Sequence, residues 1–282
     1  MTGPADESGP PEGLLRRWGA SDPVLVAVTA TSRVHRVLLA VGGTGVVKDL
    51  TPLGAREEWR GADLLEWRKG AGYVRLIERH DTTLLLEDAG TYSLLDHLGE
   101  HGDGSATAIA AHAITAVHAD LATPPPRTLL PLAGSFRSLF SAAATREDPL
   151  IREAASVAHE LLIGQRGVRA IHGDFHHENL LRGPRGWLAI DPKGLVGDPA
   201  YDAANMFCNP LARDDLRLDP ERILAMAAML SRAVSSDPHT VMRWAFAHAC
   251  LSACWYIEDG ETLEAASSLR VAAAVRSVLA ST

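Results

Sequence analysis

The run Ile171 to Leu181 reads I-H-G-D-F-H-H-E-N-L-L, and ten residues further on Ala189-Ile190-Asp191 closes a short apolar strand after Trp187. Oxygen-bearing side chains in this order suit phosphoryl transfer. That reaction needs a carboxylate to orient and deprotonate an attacking hydroxyl, and oxygen ligands to hold magnesium against a triphosphate. Asp174 supplies the first. Asn179 and Asp191 supply a neutral and an anionic oxygen, the hard donors that magnesium prefers. Short apolar strands, Arg169 to Ile171 and Leu180 to Leu181, would give the loop a rigid base. A competing reading takes His172, Asp174, His176 and His177 as zinc ligands of a hydrolase. It leaves the N-terminal third without a role.

Such a loop needs a second surface to present the nucleotide, and the first third of the chain reads as strands. Val24 to Val28, Val34 to Val41, Gly45 to Asp49, Tyr73 to Ile77 and Thr83 to Glu87 are short, rich in valine, leucine and isoleucine, and bounded by turn residues. Gly42, Gly43 and Thr44 predict a tight hairpin between the second and third. Between the third and fourth, Arg56 to Lys69 lacks proline and β-branched residues, which predicts one helix. On the third strand Val46 and Lys48 share a face, offering an apolar wall and an ammonium group together. Beyond about Thr91 the pattern turns helical, with apolar spacings of three and four in Ser105 to Leu121, Pro149 to Leu162, Pro220 to Val234 and Thr240 to Asp259. In the last, Val241, Trp244, His248, Leu251 and Trp255 form one stripe, read as core.

H-G-D-x-x-x-x-N followed by I-D resembles the catalytic and metal loops of the aminoglycoside phosphotransferase family, relatives of protein kinases. The segment Asp191-Pro192-Lys193 with Gly197-Asp198-Pro199-Ala200-Tyr201-Asp202 is similar to the streptomycin 6-kinase and hydroxyurea phosphotransferase branch. Asn209-Pro210 and the stretch from Trp255 through Glu258-Asp259-Gly260 add to the likeness, which spans Val24 to Gly260. The resemblance implies Asp174 as catalytic base, Asn179 and Asp191 as magnesium ligands, and His172 packed beneath the loop. It also implies that Val46 walls the adenine and that Lys48 binds phosphate. A carboxylate from the following helix should pair with that lysine; Glu58 is chosen, with Glu57 as the alternative. The turn Thr29-Ala30-Thr31-Ser32-Arg33 lacks the glycines of protein kinases, so Ser32 or nearby amides stand as the phosphate contacts. Glu87 to Gly90 should connect the lobes, where adenine would meet the backbone. Asp202 is expected to tie the catalytic loop down, and with Asp198, Glu258 and Asp259 it completes the candidates for the acceptor side. A cationic aminoglycoside would offset Glu258 and Asp259 at a helix end, where the dipole disfavours negative charge.

The expected architecture is therefore α+β and two-lobed like a protein kinase. Residues 1–13 form a tail, 14–88 a nucleotide-binding lobe with a five-stranded antiparallel sheet and one helix, and 89–282 a mainly helical catalytic and acceptor lobe. The expected activity is transfer of the γ-phosphate of ATP or GTP, with Mg2+, to a hydroxyl of a small molecule: a streptomycin-like aminoglycoside or a hydroxyurea-type antibiotic. A kinase of another hydroxylated metabolite, and a nucleotide-binding protein without turnover, are the other readings besides the zinc hydrolase. With 27 lysines and arginines against 35 acidic residues the formal charge is −8, a poor surface for nucleic acid or anionic membranes. Three cysteines, Cys208, Cys250 and Cys254, argue against a disulfide framework. The acidic, proline-rich start lacks a signal-peptide pattern, and no apolar run reaches the ~18 residues of a membrane span. A cytoplasmic monomer or weak homodimer is expected.

Overall fold

The computed structural model describes residues 9–282. Five strands, β1 (Ala20–Val28), β2 (Ser32–Leu39), β3 (Thr44–Leu50), β4 (Leu76–His80) and β5 (Thr83–Glu87), form an antiparallel sheet in the order β1-β2-β3-β5-β4. Two glycines make the β2–β3 hairpin possible: Gly42 and Gly43 sit at φ 91° and 83°, a region that side chains with a Cβ rarely adopt. Period-two alternation divides β3 between two environments. Val47 packs with Leu15, Val37 and Leu85 under the short helix α1 (Glu12–Arg17), whereas Val46 packs on the main core. Lys48, two residues from Val46, therefore looks the same way as Val46, toward the rest of the chain.

Three details depart from expectation. Residues 1–8 of the expected tail lie outside the described residues, and its end, Glu12 and Gly13, already belongs to α1. The fourth strand begins at Leu76; Tyr73 instead bridges Ala189, because its fully buried ring stacks on His172 with centroids 5.9 Å apart. The single expected helix is two, α2 (Pro52–Glu57) and α3 (Trp59–Arg68), meeting at Glu58. Thr51 caps α2 by accepting the Gly54 amide (3.2 Å), and Pro52 fits its first position, where no amide is needed. Each half seats a glycine on a different loop. A Cβ on Gly54 would lie 1.9 Å from the Thr31 carbonyl oxygen, and one on Gly61 would lie 1.9 Å from that of Pro192.

The Gly61 contact ties α3, the helix that begins just after Glu58, to the segment following Asp191. Gly61→Ala is expected to push them apart, destabilising the protein by about 1–3 kcal/mol as overpacking does, and to lower turnover as well. Thermal melting and steady-state rates on the same preparation check both effects.

The remainder is mainly helical: α4 (Leu94–His101), α5 (Asp103–Val117), α6 (Arg137–Thr145), α7 (Pro149–Ile163), α8 (Ala200–Asn205), α9 (Asp214–Arg217), α10 (Pro220–Ala233), α11 (Pro238–Asp259) and α12 (Thr262–Leu279). Of these, α4, α6, α8, α9 and α12 had no clear sequence signal. The longest, α11, starts at an Asp237 cap on the Thr240 amide (2.8 Å) and ends at Gly260 in the left-handed region (φ 82°). Its stripe of Val241, Trp244 and Leu251 is buried as expected, but Trp255 is 36% exposed. Among the described residues no helix is long and apolar enough to cross a membrane. Short strands β6 (Leu130–Pro131), β7 (Arg169–Ile171) and β10 (Leu195–Gly197) form one small sheet, and β8 (Leu180–Gly183) pairs with β9 (Gly186–Ala189). These strands frame the catalytic-loop sequence.

Candidate active site

The loop after β7 is held from below. Ile171 pairs with Leu195 on β10, and Gly173 turns the chain at φ 82°. Asp202, at the start of α8, accepts the His172 amide (2.7 Å), the Gly173 amide (2.7 Å) and His118 Nε2 (2.8 Å). Burial raises its pKa, but the hydrogen bond and charge of His118 and the loop amides outweigh that and hold it below the ordinary carboxyl value. It is 1% exposed, so its place among the acceptor contacts is corrected: it anchors the loop. His172 lies beneath that loop, donating from Nε2 to the Ile190 carbonyl (2.8 Å) and accepting the Asp174 amide at Nδ1 (3.1 Å). One helix terminus thus fixes the backbone on which Asp174 sits.

Asp174 Oδ1 accepts from Asn205 Nδ2 (2.9 Å) and lies 3.6 Å from His176 Nε2, while Oδ2 lies 3.6 Å from Lys193 Nζ. Burial raises the Asp174 pKa, yet attraction by His176 and Lys193 prevails and holds it below its usual value. The carboxylate is therefore ionised near neutral pH and presents acceptor oxygens to a hydroxyl.

Across the cleft, Lys48 Nζ bridges Glu58 Oε2 (2.7 Å) and Asp191 Oδ1 (2.8 Å). Burial lowers the lysine's pKa, but these two carboxylates more than compensate and it is raised. Glu57, the alternative partner, instead lines the cavity described below. Adjacent helical positions point in different directions, so only one of the two glutamates can meet Lys48.

Asn179 gives an amide hydrogen to the Asp174 carbonyl (2.8 Å), which identifies Nδ2 and leaves Oδ1 as the oxygen available to a cation. The Ile190 amide donates to the Asn179 carbonyl (3.0 Å), so Asn179 and Asp191 sit one ladder step apart. Asp191 itself adopts φ 54°, an uncommon conformation for a non-glycine residue. One amide oxygen and one carboxylate, with no sulfur or imidazole between them, fit a hard divalent cation such as magnesium.

A cavity of about 860 Å³ opens over Asp174. Glu258, Asp259 and Trp255 at the end of α11 line it, as do Arg56, Glu57 and Arg60 from α2–α3 and Arg137 from α6. Glu258 accepts from Ser138 Oγ (2.9 Å) and both acids are exposed to the cavity.

Other expected residues lie elsewhere. Asp198, only 6% exposed, accepts the Arg166 (3.1 Å) and Ala200 (2.9 Å) amides; it cannot face an acceptor, because both oxygens cap backbone. Ser32 is 2% exposed with its hydroxyl 3.3 Å from that of Thr29, and Thr29 Oγ1 also takes the Thr31 and Ser32 amides. The loop satisfies itself, so Ser32 is not a phosphate contact. Glu87 binds Arg185 through its carboxylate (2.7 Å) and donates its amide to the Arg75 carbonyl (2.9 Å), so an adenine contact at this residue falls to its main-chain carbonyl and not to its side chain or amide. Nor do the histidines converge as zinc ligands: among the described residues no group of three or more His, Cys, Asp or Glu side chains could hold a metal. His177 is buried with both ring nitrogens unpartnered, and burial drives its pKa down to about 3.

The sequence alone does not assign Lys193, His176 and Asn205 to the surroundings of Asp174. Lys193 belongs to the I-D-P-K segment, which is its sequence signal; Asn205 carries none, because helical spacing reveals a face but not what the face meets.

A five-stranded antiparallel sheet with a paired lysine, facing a helical lobe that carries a carboxylate loop, defines a small-molecule kinase of the protein-kinase-like class. The chain belongs to the aminoglycoside/hydroxyurea antibiotic resistance kinase family, whose model matches residues 17–260. It is 39% identical over 209 residues to a streptomycin 3''-kinase of Klebsiella pneumoniae, covering 72% of this chain and 77% of that one. It is 32% identical to a streptomycin 6-kinase of Streptomyces griseus over 95% of this chain and 93% of the other. In fold it resembles a thermostable mutant of aminoglycoside phosphotransferase APH(4)-Ia, solved with AMP-PNP and hygromycin B. There the TM-score is 0.60 at 16% identity, over 94% of this chain and 97% of that one.

Proposed function

We propose that this chain transfers the γ-phosphate of ATP to a hydroxyl of a streptomycin-like aminoglycoside, with Asp174 as the base. The observation that carries this reading is the single cavity joining Asp174 to Glu258 and Asp259. Its volume suits a drug-sized ligand, since such pockets run roughly 300–1,000 Å³, and is far larger than hydroxyurea requires. Glu258 and Asp259 at the C-terminal end of α11 combine their charges with the negative end of the helix dipole, which favours a cationic ligand. The streptomycin kinases among its relatives support the same acceptor class.

In this mechanism Asp174 accepts the acceptor hydroxyl's hydrogen bond and takes its proton late, as the phosphoryl group moves across. Lys48, kept charged by Glu58 and Asp191, offsets charge on the phosphates. Val46 walls the adenine from the same strand face. Asn179 Oδ1 and Asp191 would hold magnesium, which when bound neutralises phosphate charge.

A second reading has its own observation: Arg56, Arg60 and Arg137 also line the cavity, and Arg56 and Arg137 make no ion pair among the described residues. They favour a hydroxylated metabolite with an anionic group. One screen separates the two. With ATP or GTP and Mg2+, the protein is incubated with aminoglycosides, hydroxyurea and hydroxylated metabolites, and products are read by mass. Streptomycin gaining one phosphoryl group is the expected result; phosphorylation only of anionic metabolites would replace the first reading with the second.

A further inference from the structure

Beside Asp174, in the wall of the same cavity, lies a group of buried polar side chains that the reaction as described does not use. Tyr201 and Asn205 lie four residues apart on one face of α8, Asn209 follows after another four, and His248 approaches from α11. All four are at most 7% exposed. Polar groups are costly to bury unless each finds a partner, and here each does.

The direction of every hydrogen bond follows from the partners. Asn209 Nδ2 lies 3.1 Å from the Asn205 main-chain carbonyl, which can only accept, so Asn209 presents its NH2 there. The same nitrogen is 3.2 Å from the side-chain oxygen of Asn205, which must therefore be the oxygen. That turns Asn205 Nδ2 toward Asp174 Oδ1, at 2.9 Å, where a carboxylate also requires a donor. Two separate constraints thus give one amide orientation. His248 Nε2 sits 3.1 Å from Asn205 Oδ1 and must carry a hydrogen. A neutral imidazole has only one N–H, so Nδ1 is bare and accepts from the Tyr201 hydroxyl at 3.1 Å.

We infer that Asn205 and His248 are positioning residues for phosphoryl transfer, holding the Asp174 carboxylate through a one-way chain of hydrogen bonds from Tyr201 to His248 to Asn205 to Asp174. The inference rests on Asp174 being the base. Fixing Oδ1 sets the rotation of the carboxylate, so that Oδ2, beside Lys193, is presented to the acceptor. Without His248 as donor, Asn205 keeps only Asn209 to orient it. Burial lowers the His248 pKa to about 4, which keeps the ring neutral and the chain intact at working pH.

The tautomer is read directly on the 15N-labelled wild-type protein by long-range 1H–15N correlation. His248 is expected to be protonated at Nε2 alone; a proton at Nδ1 overturns the chain, and this result does not depend on any variant folding. In kinetics, Asn205→Ala should lower kcat roughly 10- to 100-fold, the cost of a misplaced catalytic group, with both KM values unchanged. An increase in acceptor KM at constant kcat would instead make Asn205 a binding residue. His248→Gln can still donate to Asn205 and should retain most of the turnover that His248→Leu loses; equal loss in both excludes positioning. On an Asp174→Asn background, Asn205→Ala should cost nothing further. If Asp174→Asn alone keeps full turnover, the base assignment fails, whichever tautomer is found.

Discussion

Asp174→Asn is expected to lower kcat by roughly 10²- to 10⁴-fold, the range for loss of a general base, while nucleotide affinity stays at the wild-type level. The asparagine keeps the size of the side chain but cannot take a proton, and it sets an NH2 against either Asn205 or the acceptor. Nucleotide affinity is spared because Lys48 is held by Glu58 and Asp191, whereas Asp174 pairs with His176 and Lys193 instead. Single-turnover rates with titration of a fluorescent nucleotide separate the two quantities. Near wild-type turnover in the variant would remove Asp174 from the mechanism.

Asp202→Ala should have the largest effect on stability. It leaves the His172 and Gly173 amides and His118 Nε2 without their acceptor in a fully buried place. Breaking a buried, hydrogen-bonded charge costs about 3–5 kcal/mol, which lowers Tm on the order of 10 °C for a chain of this size. The effect has a pH signature. Because the folded pKa of Asp202 is depressed, its contribution is complete above the unfolded carboxyl value of about 4. It is lost as pH falls through the lower folded value. The stability gap between wild type and variant should be constant near neutrality and narrow only below pH ~4. Urea unfolding of both proteins across that range tests it, and a gap that stays constant down to low pH would show that Asp202 is not the titrating anchor.

Local sequence reaches the reaction loop because its geometry is local. Between β7 and β8 the backbone alone sets the spacing of Asp174 and Asn179, and the β8–β9 hairpin returns the chain to Asp191. The strand period likewise determines that Val46 and Lys48 share a face. The choice of Glu58 over Glu57 is not local, because it depends on which of two adjacent helical positions the tertiary packing turns toward Lys48 on β3. Asp198 shows the opposite case. An acidic residue beside the loop reads as an acceptor contact, yet the local Ala200 amide and the Arg166 amide brought from 32 residues away occupy it.

The sequence by itself therefore determined the class of chemistry and the lobe that serves it, since both depend on short-range backbone periodicity and residue type. Only the tertiary structure decided which acids face the cavity, that Arg185 occupies the Glu87 carboxylate, and that Asn205 and His248 stand beside Asp174. Those relations join α8, α11 and the catalytic loop across tens of residues, and helical spacing fixes a face without fixing its neighbour.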